Sequence, residues 1–182
     1  MRIIGGSLKG RKLHSMDGHE TRPTLDKVRG AVFNSLYDVS ETKVLDLFGG
    51  TGAMAIEALS RNAASAVICD QSRGACNIIQ KNITDLNLTS RVEIRCCDFR
   101  QALRCGESYD LIILDPPYGR GLLAESLEFI IKLGSLKENG MIVAETSSTE
   151  PEICTNPALV AIKTKKYGAA QICFYRVNYG IK

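Results

Sequence analysis

From residue 43 onward the chain alternates short apolar runs with longer stretches of helical spacing, and that rhythm constrains its fold more than any other feature. VLDLF (44–48), AVICD (66–70), RVEIRC (91–96), YDLIILD (109–115) and MIVAET (141–146) have the length and composition of buried strands. Between them, 53–61, 72–88 and 122–133 read as helices; in the second, Ala75, Ile78, Ile79 and Ile83 share one face. Strands separated by helices of this length need crossover connections, which implies a parallel sheet covered on both faces. The tail breaks the rhythm. Runs 159–166 and 170–177 flank a turn at Tyr167 and Gly168 and predict an antiparallel terminal hairpin, giving an α/β fold with a mostly parallel sheet.

The first 40 residues read as a small N-terminal extension: a hairpin through Gly5–Gly10 and, after Pro23, a helix over Leu25–Tyr37 with Val28, Val32, Phe33 and Leu36 on one face. This divides the chain into an arm, 1–40, packed on a main domain, 41–182. A chain of 182 residues suffices for one core, and 45% hydrophobic with 24% charged residues excludes global disorder. No apolar run is long enough to span a bilayer and the start has no signal-peptide core, so a membrane role is excluded and a cytoplasmic location expected. Seven cysteines without Cys-x-x-Cys spacing, and only two histidines, point to reduced thiols rather than a metal site. Residues 1–30 hold seven basic and three acidic side chains, a balance of +4 that suits contact with a polyanion.

Gly50-Thr51-Gly52-Ala53-Met54-Ala55 follows the first strand and opens the first crossover helix, with Asp70 at the end of the next strand. Glycines let the backbone approach a ligand, a helix N-terminus offers free amides, and an acid accepts from ribose hydroxyls. The same spacing fits an NAD-binding unit. Asp46 argues against that, because it ends the first strand where a pyrophosphate would sit. A carboxylate tolerates instead a cofactor bearing an ammonium and a sulfonium, and S-adenosylmethionine is one. On this reading the loop holds the methionyl part, Asp70 the ribose and Asp98 the adenine amino group, with Phe99 packed on the adenine ring.

Asp115-Pro116-Pro117-Tyr118 ends the strand LIIL and projects from the same sheet edge. An exocyclic amine on a base is a poor nucleophile, since its lone pair is delocalised into the ring. Acceptors aimed at its two N–H groups favour a nucleophilic geometry and stabilise the developing charge. The Asp115 carboxylate and the Pro116 carbonyl supply such acceptors, the prolines stiffen the loop, and Tyr118 offers a stacking face. No metal is required.

IIGGSLKGRKL (3–13), RPTLDKVRGAVFNSL (22–36), LDLFGGTGAMAIEALSR (45–61), YDLIILDPPYGRG (109–121) and KYGAAQICFYR (166–176) together resemble the RsmD-type ribosomal RNA methyltransferases, over nearly the whole chain. The resemblance implies a seven-stranded, Rossmann-like class I S-adenosylmethionine-dependent methyltransferase fold. It further implies methyl transfer to the 2-amino group of one guanine in small-subunit (16S) ribosomal RNA. By position it sets Asp46, Phe48, Gly50, Gly52, Asp70 and Asp98 around the cofactor and Asp115, Pro116, Pro117 and Tyr118 around the target amine. Arg11, Arg22 and Thr24 would contact substrate from the arm, beside Pro23. The expected partner is ribosomal RNA or a partly assembled small subunit, met by a monomer. Two departures stand out: Asp70 where the family usually has Glu, and Gly49-Gly50-Thr51 where it often has Ala-Gly-Ser. The same acceptor geometry would also serve an amine methyltransferase acting on adenine in DNA or on protein glutamine.

Overall fold

The computed structural model describes residues 1–15, 23–36, 38–149 and 156–178, with the side chains of 23–25 excepted. Its elements in chain order are α1 (Pro23–Phe33), β1 (Lys43–Asp46), α2 (Ala53–Ser60), β2 (Ser65–Cys69), α3 (Arg73–Asp85), β3 (Val92–Arg95), α4 (Phe99–Leu103), β4 (Tyr109–Leu114), α5 (Leu122–Leu133), β5 (Leu136–Ser147), β6 (Leu159–Tyr167) and β7 (Ala170–Val177). One seven-stranded sheet runs in the order β3-β2-β1-β4-β5-β7-β6. The first five strands are parallel, and β7 pairs antiparallel with both β5 and β6. The expected α/β architecture and terminal hairpin are therefore observed.

Strand side chains alternate faces, and the central strands bury both. Val44 and Ile113 join a core with α2, α3 and the N-terminal segment, while Leu45 and Ile112 join a second core with α4 and α5. Apolar runs unbroken by polar residues are what two-sided burial requires.

Residues 1–13 turn back on themselves as expected, but they form only one antiparallel bridge, Arg2 with Lys12, and no ladder. Helix α2 anchors the turn. The fully buried Glu57 carboxylate accepts from the amides of Ile4 and Gly5, each at 2.8 Å, and pairs with Arg61 at 2.9 Å and the buried Arg29 at 3.4 Å. Ser60 Oγ accepts from the Leu8 amide at 2.9 Å and donates to the Gly5 carbonyl at 2.6 Å. Gly6, at φ 75°, passes so close that a Cβ there would lie 1.8 Å from the Ser60 carbonyl oxygen. Only glycine fits.

Other differences from expectation have local causes. Helix α1 starts at Pro23, a residue suited to a first helical position, and stops at Phe33; Tyr37 lies outside the described residues. Strand β5 begins at Leu136 rather than 141, because Leu136 pairs with Tyr109 before the ladder resumes at Met141 opposite Leu111. The polar KENG between them hides that first pairing. Helix α4 has five residues, too few for periodicity to announce.

Candidate active site

The connection after β1 leads to β2 on one side, and the connection after β4 leads to β5 on the other. The carboxyl ends of these two neighbouring strands thus flank the crevice where the winding reverses, the usual ligand position in open α/β sheets. Asp46 ends β1 and Asp115 follows β4. Both line one cavity of about 150 Å³ with Arg29, Gly50, Glu145 and Ile172. A larger open cleft of about 740 Å³ adjoins it, and Phe48, Gly50 and Asp115 line both. Gly50, Asp70, Asp98, Asp115 and Tyr118 share that cleft.

The glycine loop is organised by backbone bonds. Gly49 donates to the Cys69 carbonyl at 2.8 Å, tying the loop to β2. Gly50, at φ 55°, has no atom within 4 Å of where a Cβ would stand, and its amide donates to Asp70 Oδ2 at 2.9 Å. Gly52 stands behind the rim. A Cβ there would meet Ile56, Ile68 and Ile79 at 3.4–3.5 Å, and its amide closes a turn to the Gly49 carbonyl, so its work is to start α2 rather than to line either cavity.

Asp46 is 2% exposed, and burial pushes its carboxyl up to about 7 despite bonds from the amides of Phe48 and Ala55, with the charge of Asp70 adding to the rise. Asp115 is open to water through the cleft mouth yet crowded by protein around its carboxyl. That crowding, and then the charges of Glu145 and Asp46, push it well above the usual carboxylate range. Pro116 is buried, Pro117 exposed, and Tyr118, 45% exposed, donates its hydroxyl to Glu145 Oε1 at 2.7 Å.

Asp70 and Asp98 are already engaged. Asp70 accepts from the amides of Gly50 and Ser72, leaving further lone pairs toward the cleft. Asp98 caps α4 through the Arg100 amide at 2.9 Å and pairs with the Arg100 guanidinium at 2.9 Å, which also forks onto Glu125. Phe99, expected to pack on the adenine ring, lines the cleft but is only 4% exposed. Its ring packs on Phe48 and Phe129 at 5.6 and 6.1 Å, and Arg100 covers it at 4.4 Å. Phe48 is the more open aromatic of the pair.

Arg11 does not line the cleft; it donates to the Asp85 carbonyl at 3.0 Å, at the C-terminus of α3. Arg22 and the Thr24 side chain lie outside the described residues. Three polar residues at or beneath the site were missed by the sequence reading: Glu145, Glu57 and Asn82. Glu145 sits near the end of β5, so the strand-end rule that picked Asp46 and Asp70 would have found it. Buried Asn82 bonds His14 at both its amide and its carbonyl and donates to the Thr51 carbonyl at 2.9 Å, fastening the arm to the glycine loop.

A family model described as conserved hypothetical protein 95 matches residues 1–176. Ribosomal RNA small subunit methyltransferase D of Escherichia coli K12 is 34% identical over 175 residues, covering 96% of this chain and 87% of that one. The chain belongs to the RsmD family of ribosomal RNA methyltransferases. The solved structure of the putative methyltransferase yhhF from Escherichia coli matches it with a TM-score of 0.88 at 28% identity over 98% of both chains, so the likeness takes in the N-terminal segment as well as the sheet. SMU.776, solved in complex with SAH, shares the fold with a TM-score of 0.67 at 16% identity, over 86% of this chain and 50% of that one.

Proposed function

We propose that this RsmD-family chain transfers a methyl group from S-adenosylmethionine to the exocyclic 2-amino group of a guanine in small-subunit ribosomal RNA, in the cytoplasm. One observation carries the reading: the glycine loop and the Asp115–Tyr118 turn open into a single cleft at the winding reversal. The donor set suits such a cofactor. Asp46, Asp115 and Glu145 line one cavity as a group of acids, two of them with raised carboxyls, which repels a pyrophosphate and favours a cation.

Gly50, Asp70 and Phe48 would hold the adenosyl end, and Asp46 the cationic amino-acid end. Bound S-adenosylmethionine supplies an electrophilic methyl on a positively charged sulfur. The chain's own part is to present the amine. Asp115 and the Pro116 carbonyl accept its two N–H bonds, while Tyr118, steadied by Glu145, stacks on the purine. Forming the new nitrogen–carbon bond requires the amine to lose a proton. Asp115, as its carboxylate, is placed to take it, and surroundings that raise its proton affinity make it the stronger base.

The test uses purified protein, labelled S-adenosylmethionine and separate small-subunit RNA, DNA and protein fractions. Label is expected in RNA, with mass mapping giving N2-methylguanine. Label confined to DNA or protein would overturn the substrate assignment, and a methyl elsewhere on guanine would overturn the atom assignment.

A further inference from the structure

We infer that Glu145 reads the base: its carboxylate accepts the N1–H of the target guanine while Asp115 and the Pro116 carbonyl hold the neighbouring 2-amino group. This rests on the guanine-methylation reading and names the residue that tells guanine from adenine. On guanine the 2-amino group stands beside N1–H, a donor. On adenine the 6-amino group stands beside N1, an acceptor, and on cytosine the 4-amino group stands beside N3, another acceptor. An ionised carboxylate can only accept. Set next to the acid that holds the amine, it pairs with the first edge and repels the other two, whose nitrogen lone pairs would face its oxygens.

Sheet register puts Glu145 in that place. Leu114 pairs with Ala144, so the next residues along, Asp115 and Glu145, leave neighbouring strands side by side, about 5 Å apart at ordinary strand spacing. Both line the cavity of about 150 Å³, together with Ile113 and Val143 from the same sheet face. The Asp115 carboxyl is raised by burial first and by the charge of Glu145 next. Strand order β1-β4-β5 sets Asp46 on the opposite side of Asp115, about 10 Å from Glu145 at the same spacing. The Asp46 flank carries the glycine loop, whereas the Glu145 flank carries Tyr118. Glu145 therefore belongs to the amine's side of Asp115 rather than the cofactor's. On its outer flank it pairs with Ile172, a buried apolar residue that offers the carboxylate no bond.

Tyr118 completes the arrangement. Its hydroxyl donates to Glu145 Oε1 at 2.7 Å, which leaves Oε2 for another donor. A phenol proton lies in the plane of its ring, so the carboxylate stands at the rim of the Tyr118 ring, and a base stacked on that ring brings its own edge to the same carboxylate. Glu145 is half-buried, and among the described residues it alone lines both the cavity of Asp115 and a pocket of about 220 Å³ beside Pro116, Pro117 and Tyr118. Holding a tyrosine hydroxyl does not call for a carboxylate. An amide oxygen accepts as well, without the repulsion from Asp115, so the charge at this position is left for a ligand to explain.

The experiment uses the small-subunit substrate that wild type methylates, an RNA fragment or a subunit reconstituted on synthetic RNA, with guanine or 2-aminopurine at the position found by mass mapping. 2-Aminopurine keeps the 2-amino group but presents an acceptor at N1. With S-adenosylmethionine saturating, kcat/KM is measured on both bases for wild type, E145Q and Y118F. E145Q can still accept the Tyr118 hydroxyl at its amide oxygen, and its amide nitrogen then donates to the N1 of 2-aminopurine. Its preference for guanine should fall by about 10- to 100-fold, the range of one well-placed base contact, through a loss on guanine and a gain on 2-aminopurine. The intrinsic reactivities of the two amines cancel, because the preference is compared between proteins. Y118F leaves Glu145 in place and should keep the preference while methylating both bases more slowly. An unchanged preference in E145Q, with equal losses on the two bases, would overturn the assignment and leave Glu145 as a support for Tyr118. So would a Y118F variant that lost the preference to the same extent. If wild type methylated no RNA fraction, or another atom of guanine, the parent reading would fail instead, a result distinct from either of these.

Discussion

Asp70 and Asp98, at the ends of β2 and β3, are satisfied before any ligand arrives, by two backbone amides in one case and by an amide and Arg100 in the other. Asp46 and Asp115, at the ends of β1 and β4, form no ion pair among the described residues, and although Asp46 also accepts from the amides of Phe48 and Ala55, burial makes the surroundings of both favour the protonated state. Four carboxylates at corresponding sheet positions thus divide into a preformed pair and a poised pair. The preformed half holds its shape without help and offers spare lone pairs to neutral donors such as hydroxyls. The poised half resists ionising until a cation arrives to stabilise its charge.

Breaking the poised half should have the largest effect. D115N keeps the shape of the side chain but replaces one acceptor oxygen with a donor and removes the charge. Single-turnover methyl transfer should fall by about two to three orders of magnitude, as when an aligned electrostatic partner is lost, with cofactor affinity altered only a few-fold. D98N should fall by far less. Equal losses in the two variants would erase the distinction between the halves.

D46N should separate binding from stability. Removing this carboxylate is expected to weaken cofactor binding by about tenfold or more, since a charge-assisted contact with an ammonium is lost. The ligand-free protein should gain stability at pH 8, on the order of a few kcal/mol, because a buried charge with a carboxyl raised to about 7 no longer has to form. Thermal melting with and without cofactor reads both signs at once. A variant that melts lower without ligand would show Asp46 to be a structural support instead.

The pH dependence sharpens the same point with no mutation. A raised folded-state value means the native protein holds the Asp46 proton more tightly than the unfolded chain does. Its contribution to stability is therefore complete below the ordinary carboxylate range and is lost as pH rises through about 7. Cofactor affinity should move the opposite way, tightening over that window as the acid ionises. Calorimetry in two buffers of different ionisation heat should detect proton release on binding. Flat affinity from pH 5.5 to 8 would remove the poised half from the account.

Sequence reading reached the poised half more easily than the preformed one. Asp46 and Asp115 each end an apolar strand beside a glycine or proline turn, so strand position alone announces them. Asp70 was legible for the same reason. Asp98 was found, but not its engagement, because Glu125 lies 27 residues further on and meets Arg100 only after α4 and α5 pack. Phe99 lines the cleft, but nothing local reveals that Phe48, Phe129 and Arg100 pack around it. Glu57 and Asn82 are invisible for a related reason: a polar residue inside a helical pattern reads as solvent-facing until the N-terminal segment arrives to bond it.

The smallest effect is expected where the preformed half is tested through its outer partner. E125Q removes one end of the Arg100 fork while leaving Asp98, the α4 cap and the guanidinium over Phe99 in place. Both acids and Arg100 are about one-third or more exposed, and exposed pairs contribute little once salt and side-chain freedom are counted. Melting temperature should hardly change, and cofactor affinity should stay within about threefold, with the difference fading as salt rises. The wall survives because Arg100 keeps a second anion and a ring to lie on. A collapse of cofactor binding in E125Q, with the fold intact, would mean that Arg100 released from Glu125 swings into the cleft. The preformed half would then depend on its outermost contact, and its rigidity would be no less conditional than the charge of the other.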